Sequence, residues 1–261
     1  CGFLDIARQE SIDKIVEIES KKQEGLIDKI IVMGCLSERY GDELSKEIPG
    51  VDKFFGSEEH EAVIKYISGK PFSLDDPDII RASLTPSHYS YLKIAEGCDN
   101  ACSFCSIPLM RGLQKSQPLR WNVEEAKRLA SRGVKELLVI AQDSTSYGWD
   151  ISPKTSLHQL FLELDKIDGL EWLRLHYAHP SNLHREMIKQ FSRLDKLIPY
   201  IDMPIQHGSD KMLKIMRRGL KSSGIKKKIE ALRKVNDNLA IRTSIIVGHP
   251  GETDKEFQEL L

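Results

Sequence analysis

Three cysteines of this sequence lie close enough together to share one metal centre. Cys98, Cys102 and Cys105 form a CxxxCxxC run inside the segment EGCDNACSFCSIP. Zinc sites usually pair CxxC modules, and ferredoxin-type runs read CxxCxxC with a fourth cysteine, so neither pattern matches this spacing. The run favours a 4Fe–4S cluster that is held by three thiolates and leaves its fourth iron open to a small chelating molecule.

The composition sets broad limits on the class of protein. The chain has 261 residues, of which 40% are hydrophobic and 30% charged, so it can bury at least one core and we expect two domains. Its net charge of -1 indicates no general nucleic-acid surface, although Lys226 to Lys228 form a small basic patch. No stretch approaches about 18 consecutive apolar residues. No signal peptide is recognisable either, so we predict a cytoplasmic protein without a membrane partner.

The pattern of apolar residues over 1–70 predicts a small α/β domain. The predicted elements are a helix from Leu4 to about Ser20, strands over 29–35 (KIIVMGC) and 51–56 (VDKFFG), and a helix over 57–69. Ser57 is the expected cap of the second helix, because a serine hydroxyl can accept from the unpaired N–H groups of the first turn. Residues 71–88 contain three prolines and no sustained periodicity, so we predict a linker there.

Residues 89–261 alternate between apolar runs and amphipathic segments. The predicted strands are YLKIAEGC, KELLVIA, EWLRLHY, YIDMPI and AIRTSIIVG, and the predicted helix starts are Asn122-x-x-Glu125, Ser156 and Thr253-x-x-Glu256. Five βα units in series predict an α/β fold with a parallel sheet, most simply a partial TIM-like barrel. Chemistry in such folds gathers at the carboxyl ends of the strands, and the CxxxCxxC run follows the first strand.

The segment CDNACSFC resembles the signature of the radical S-adenosylmethionine (SAM) superfamily. The resemblance implies that the amino and carboxylate groups of SAM chelate the open iron. One electron from the cluster then cleaves the sulfonium, and the resulting 5′-deoxyadenosyl radical removes a substrate hydrogen. Phe104, next to the last cysteine, either packs under the loop or walls the adenine.

Within that superfamily the chain resembles the methylthiotransferases, through CSFCSIPLMRG (102–112), CGFLDIARQESIDKI (1–15) and VMGCL (32–36). The resemblance implies a second 4Fe–4S cluster, bound by Cys1, Cys35 and a third cysteine upstream of this sequence. It also implies that the barrel over 89–261 lacks its last strand and a C-terminal β-domain, so that the chain is truncated at both ends. Without the family pattern, Cys1 and Cys35 would read as ordinary core cysteines.

The substrate class follows from longer motifs. AQDSTSYGWD, LHYAHP and YIDMPIQHGSDKMLKIMRR are similar to the branch that methylthiolates the β-carbon of an aspartate in a small-subunit ribosomal protein. The implied partners are that protein and an electron donor of the flavodoxin or ferredoxin type. The alternative is a tRNA adenosine methylthiotransferase with the same chemistry, which alone would bind nucleic acid. The alternative from a different functional class is a non-catalytic electron carrier or a zinc-stabilised binding module.

Four polar candidates follow the second and fourth predicted strands. Gln142 and Asp143 lie where the superfamily holds the methionine amine, so they either contact SAM or cap the loop. Gln206 and His207 follow the fourth strand, where they either reach the ribose or substrate or are ordinary satisfied polar groups.

Two further candidates belong to the fifth predicted strand. Val247, in VGHPGET, resembles the adenine contact of the family. Arg242 has a fork of donors that suits the SAM carboxylate, and the alternative for this residue is an ordinary surface ion pair.

Overall fold

The structure is a computed structural model that describes residues 2–71 and 84–261. Cys1 and most of the predicted linker, residues 72–83, lie outside the described residues. The chain divides into two compact units. The first contains the described residues up to 71 together with Ser106–Gly112, and the second contains 84–105 and Leu113–Leu261.

The first unit is a small α/β unit around two parallel strands. Its elements are α1 (Asp5–Gln23), β1 (Ile31–Met33), α2 (Cys35–Glu47), β2 (Lys53–Phe55), α3 (His60–Ser68) and α4 (Ile107–Arg111). Parallel strands need a crossover, and α2 supplies it between β1 and β2. The helix α2 was not predicted from the sequence, because its apolar stripe is only Leu36, Tyr40 and Leu44 among charged residues.

Ser57 does not cap the following helix, contrary to the sequence prediction. The helix α3 begins at His60, and Glu59 occupies the cap position. Ser57 is instead buried, and its hydroxyl donates a hydrogen bond to the Met110 carbonyl oxygen over 2.9 Å. A tertiary partner has therefore taken the hydroxyl that the local sequence assigned to the helix end.

The second unit is built on a five-stranded parallel sheet. Its elements are β3 (Tyr89–Lys93), β4 (Ala95–Glu96), β5 (Lys115–Ser116), α5 (Leu119–Ser131), β6 (Glu136–Ile140), α6 (Leu157–Asp165), β7 (Trp172–Leu175), α7 (Arg185–Gln190), β8 (Leu197–Asp202), α8 (Asp210–Ile215), α9 (Ser222–Val235), β9 (Ala240–Arg242) and α10 (Asp254–Leu260). The sheet order is β3-β6-β7-β8-β9 and every pair is parallel. Within the described residues the sheet stays open between β3 and β9, as in a partial barrel. The predicted α/β class with a parallel sheet is confirmed.

Apolar side chains of the strands and of the covering helices form one core in this unit. Leu92, Leu137, Leu173 and Ile201 are fully buried on successive strands, and Phe161 of α6 packs into the same cluster. Each such side chain contributes about 1.5–3 kcal/mol on burial. This buried core stabilises the sheet whose carboxyl edge carries the loops.

The predicted helix starts in this unit had different outcomes. Thr253 and Glu256 form the predicted capping box at the start of α10. Asn122, by contrast, lies inside α5, which begins at Leu119, and its amide donates to the Tyr147 hydroxyl over 2.9 Å. Asn122 is a buried core amide rather than a cap.

None of the helices described in residues 2–71 and 84–261 combines the length and the apolar character that a bilayer crossing requires.

Candidate metal and cofactor site

The carboxyl ends of the five parallel strands meet at one edge of the sheet, and most candidate residues follow these ends. The cysteine run comes after β3 and β4, Gln142 and Asp143 follow β6, and Gln206 follows β8. Arg242 is the last residue of β9. The parallel topology therefore brings candidates that are far apart in sequence to the same edge.

The three cysteines are free thiols on a single loop. Cys98 is buried, whereas Cys102 and Cys105 are half-buried, and the Cys105 N–H donates to the Cys102 carbonyl oxygen over 3.1 Å. Asn100 donates to Cys98 Sγ from its backbone N–H, at 3.4 Å, and from its side-chain amide, at 3.3 Å. Burial raises the pKa of the Cys98 thiol, and the two Asn100 donors partly oppose this effect.

Arg218 contacts the same loop from the turn after α8. Its side chain is buried, and Nη1 donates to Cys102 Sγ over 3.2 Å. Nη2 donates to the carbonyl oxygen of Pro204, two residues beyond the end of β8, over 2.6 Å. The guanidinium thus links the cysteine loop to the carboxyl edge of the sheet.

Asp143 shapes the loop after β6. Its buried carboxylate accepts from the Thr145 N–H at 3.0 Å and from the Ser146 hydroxyl, the Asn100 amide and the Asn182 amide, each at 2.8 Å. Burial alone would raise the pKa of this carboxyl group, but these donors outweigh it and hold the pKa below its ordinary value. Of the two readings from sequence, the geometry favours loop capping for Asp143.

Gln142 is held by a different carboxylate. Its amide donates to Glu96 Oε1 over 2.5 Å, and Glu96 Oε2 pairs with Lys93. The Gln142 Oε1 atom is buried and makes no hydrogen bond within the described part of the chain. This buried carbonyl oxygen therefore has unused acceptor capacity.

Gln206 and His207, which follow β8, make different contacts. Gln206 has a left-handed backbone, with φ of 73°, and its carbonyl oxygen accepts from the Ile246 N–H over 2.8 Å. His207 is fully buried, accepts from the Ser209 N–H at Nδ1 over 2.9 Å, and lies 3.1 Å from Glu252 Oε1 through Nε2. Both ring nitrogens of His207 are therefore occupied, which favours the structural reading for this residue.

Arg242 forms an ion pair at the edge. Its Nη1 lies 2.9 Å from the buried Asp202 Oδ2, while the Arg242 side chain keeps 59% of its exposure. His176 Nδ1 lies 3.7 Å from the same oxygen, and burial lowers the pKa of this imidazole. Arg242 is thus anchored on one side and open to solvent on the other, so it retains donors for a second anion.

Val247 and Phe104 present apolar surface. Val247 is 60% exposed, next to Gly248 with φ of 79°, and Ile245 two residues before it is 48% exposed. Phe104 is half-buried within the cysteine loop. An exposed pair of aliphatic side chains after β9 offers a flat apolar surface of the kind a purine base can contact.

The cysteine loop borders a cavity. Its volume is about 380 Å3, and Asp99, Asn100, Trp149 and Asn182 are among the residues that line it. Sites for small molecules usually have volumes of roughly 300–1,000 Å3. Asp99 and Asn100 are the residues of the cysteine loop that line this cavity, whereas none of the three cysteines does.

The three thiols are donors of the type that hold iron–sulfur clusters. Zinc requires ligands about 2.0–2.3 Å from one centre. In residues 2–71 and 84–261, no three histidine, cysteine or carboxylate side chains converge as such an ion requires. Three unpaired thiols on one short loop, with a buried guanidinium on one of them, are the donor set expected for three corners of an iron–sulfur cluster.

In the first unit, Cys35 is a half-buried free thiol and the first residue of α2. Cys1 lies outside the described residues, but Gly2 packs against Cys35: a Cβ added to Gly2 would lie 2.6 Å from the Cys35 carbonyl oxygen. Arg39 of α2 also donates to the Gly2 carbonyl oxygen over 3.0 Å. Glycine at position 2 permits this close approach of the two backbones.

Several residues that contact the cysteine loop or its neighbours were not predicted from the sequence. Asn100, Asn182 and Arg218 connect the cysteine loop to its neighbours, and Asp202 anchors Arg242. Asn100 lies within the cysteine run itself, which was a usable signal. The other three follow or end strands and helices in ordinary polar segments, so only the tertiary contacts reveal them.

Comparison with protein families decides the class of the second unit. The sequence profile of the Radical SAM superfamily matches residues 92–261, which is more than half of the chain. The chain belongs to the Radical SAM superfamily. Membership brings SAM and an iron–sulfur cluster as the cofactors of the class, as the cysteine run predicted. Residues 1–56 match a second profile, Uncharacterized protein family UPF0004.

Curated relatives of this Radical SAM chain carry one recurrent name. The chain is 48% identical over 263 residues to "Ribosomal protein uS12 methylthiotransferase RimO" of Cytophaga hutchinsonii, covering 100% of the chain and 59% of that protein. It is 47% identical over 262 residues to the protein of the same name from Christiangramia forsetii, covering 57% of it. The chain therefore spans less than two thirds of the length of these relatives.

Solved structures confirm the fold of this Radical SAM unit. The cobalamin-dependent S-adenosylmethionine radical enzyme OxsB matches with a TM-score of 0.70 at 12% identity, covering 97% of this chain and 41% of OxsB. The radical S-adenosylmethionine methyltransferase TsrM from Kitasatospora setae matches with a TM-score of 0.66 at 16% identity, covering 94% and 54%. At such identities the likeness concerns the fold alone.

Proposed function

We propose that Cys98, Cys102 and Cys105 hold a 4Fe–4S cluster whose open iron binds SAM. The observation that carries this proposal is the set of three free thiols on one loop, at the carboxyl edge of a Radical SAM fold and beside a cavity. When bound, the cluster supplies an electron that cleaves the SAM sulfonium and generates a radical. The protein contributes the loop geometry, through Asn100, and a cation, through Arg218.

We assign the remaining contacts to SAM to residues whose hydrogen-bonding groups or apolar surface are not fully used within the described part of the chain. Gln142 offers a buried carbonyl without a partner in the described residues, and Arg242 offers the exposed part of its guanidinium to a carboxylate. Gln206, beyond the end of β8, is the candidate for the ribose. Val247 and Phe104 supply apolar surface for the adenine. Asp143 acts through the loop rather than by contact.

A second 4Fe–4S cluster is proposed at Cys35, together with Cys1 and a third cysteine upstream of this sequence. The supporting observation is the close packing of Gly2, which follows Cys1 in sequence, against the Cys35 backbone. Cys35 also begins α2, where the helix dipole favours negative charge. This cluster would carry the sulfur and methyl groups to be transferred.

The proposed reaction of the full-length protein is methylthiolation of the β-carbon of an aspartate in a small-subunit ribosomal protein. It rests on the names of the relatives at 47% and 48% identity, which match the substrate branch that the long sequence motifs indicate. The proposed setting is the cytoplasm, with a reductant of the flavodoxin or ferredoxin type.

The test uses the full-length protein, reconstituted without oxygen and supplied with SAM and a low-potential reductant. It is incubated separately with the ribosomal protein and with tRNA, and each product is analysed by mass spectrometry. The expected result is a methylthio mass increment on an aspartate of the ribosomal protein. Modification of tRNA alone would reject the proposed substrate.

A further inference from the structure

Arg218 is a buried cation whose charge lacks a carboxylate partner within the described part of the chain. Its side chain is 4% exposed, and in the described residues its guanidinium donates to the Pro204 carbonyl oxygen and to Cys102 Sγ. Its Nε atom is buried and makes no hydrogen bond in the same residues. Burial of an uncompensated charge costs several kcal/mol, on the order of the whole stability margin of many domains. An anion that compensates Arg218 is therefore expected beside it.

The backbone around Arg218 directs this side chain towards the cysteine loop. The turn after α8 passes through Arg217, which has a left-handed φ of 57°, and the Arg218 N–H donates to the Leu213 carbonyl oxygen over 2.9 Å. Arg217 is exposed, whereas Arg218 is buried. The Ser103 N–H also donates to the Met216 carbonyl oxygen over 3.3 Å, so the turn contacts the cysteine loop through both backbone and side chain.

The His179 imidazole, which feels the positive charge of Arg218, does not add a second positive charge near pH 7. Burial, followed by the positive charge of Arg218, lowers the pKa of His179 to about 4. His179 is therefore neutral near pH 7, while a guanidinium stays protonated at every accessible pH. The charge next to Cys102 is accordingly that of Arg218.

A cluster with three thiolate ligands has a net negative charge, and reduction by one electron increases it. Hydrogen bonds and positive charge at a cluster sulfur therefore stabilise the reduced form more than the oxidised form, and they raise the reduction potential. Arg218 supplies both at Cys102 Sγ.

We propose that Arg218 is the counter-ion of the radical SAM cluster, and that its hydrogen bond to Cys102 Sγ raises the potential at which this cluster accepts an electron. The inference rests on the proposed function, because it requires the cluster at the cysteine loop. Arg218 is a positioning and electrostatic residue that acts through a ligand of the cluster. It makes reduction of the cluster by a low-potential donor more favourable.

The test is a redox titration of the full-length protein, reconstituted without oxygen and reduced by dithionite. Electron paramagnetic resonance follows the reduced-cluster signal that changes on addition of SAM, which identifies the radical SAM cluster. The variants are Arg218→Met, which removes charge and donors at similar length, and Arg218→Lys, which keeps the charge but loses the planar fork. Arg217→Met is the matched control on the exposed neighbouring arginine.

The midpoint potential is expected to become more negative in Arg218→Met, to shift less in Arg218→Lys, and to stay unchanged in Arg217→Met. If Arg218→Met does not fold, the Arg218→Lys shift decides the question. A potential equal to that of the unmodified protein in the folded Arg218 variants would overturn the inference and leave the proposed function intact. Absence of any SAM-responsive cluster in the unmodified protein would instead reject the proposed function, and this inference with it.

Discussion

The side-chain amide of Asn100 donates to Asp143 Oδ2 over 2.8 Å and lies 3.3 Å from Cys98 Sγ. One amide thus connects a proposed cluster ligand to the buried carboxylate that organises the loop after β6. Asn182 donates to the same Asp143 oxygen over 2.8 Å, so the loops after β3, β6 and β7 meet at this atom. Asn100 of the cysteine loop is therefore held by contacts with the loops after β6 and β7.

Asn100→Ala is expected to lower both stability and cluster retention. The substitution removes a donor from the buried Asp143 carboxylate, which costs about 1–3 kcal/mol, and it removes a donor from Cys98 Sγ. Urea unfolding of the apoprotein and the iron content after reconstitution measure the two effects. Asn238→Ala, at an exposed position, should change the free energy of unfolding by less than about 0.5 kcal/mol. Equal stability of the two variants would contradict the proposed role of Asn100.

The buried His179 predicts a pH dependence of stability. Its pKa falls from 6.5 to about 4 in the folded state, so between these values the unfolded chain binds a proton that the folded chain does not. Stability is therefore fully present above pH 6.5 and is lost as the pH falls towards 4, by on the order of 3 kcal/mol.

His179→Gln should remove this part of the pH dependence. Urea midpoints of the apoprotein between pH 7 and pH 4.5 provide the measurement, and His60→Gln, at an exposed histidine of α3, is the matched control. An unaltered slope in His179→Gln would show that other groups are responsible.

The parts of the fold that local sequence patterns encode could be predicted from the sequence. The five strands of the second unit are short apolar runs, so the parallel sheet could be predicted from the sequence, and the cysteine run follows the first of these strands. Contacts between residues that are distant in sequence could not be predicted in this way. Arg217 and Arg218 are adjacent residues of the same type, and the structure shows that Arg218, which follows the left-handed Arg217, is the one buried beside Cys102.

The capping roles predicted for Asn122 and Ser57 were wrong for a related reason. Each is a residue type that caps helices, but each donates instead to a group elsewhere in the chain, Tyr147 for Asn122 and Met110 for Ser57. A side-chain amide or hydroxyl can satisfy a backbone group nearby or a buried group far away in sequence, and the local pattern is the same in both cases. The capping interpretation succeeded at Thr253, where Glu256 completes the reciprocal pair.

Thr253→Ala is expected to destabilise the protein by about 1 kcal/mol, because it removes the hydroxyl of the capping box at the start of α10. Ser156→Ala offers a control at a helix start, since Ser156 occupies the cap position of α6 without a side-chain capping bond. Its hydroxyl contacts His158 and Gln159 side chains instead. A smaller shift in the urea midpoint is therefore expected for Ser156→Ala, and the reverse order would contradict the capping assignment.

Cys102→Ala and Cys35→Ala separate the two proposed clusters. A methyl group cannot replace a thiolate ligand, so Cys102→Ala should abolish formation of 5′-deoxyadenosine by the full-length protein. Cys35 lies in the other compact unit, so Cys35→Ala should retain SAM cleavage and lose methylthio product. Chromatography of the nucleoside and mass spectrometry of the ribosomal protein measure the two outcomes in the same reaction. Undiminished 5′-deoxyadenosine in Cys102→Ala would remove the cluster from the cysteine run, whereas normal methylthio product in Cys35→Ala would remove only the second cluster.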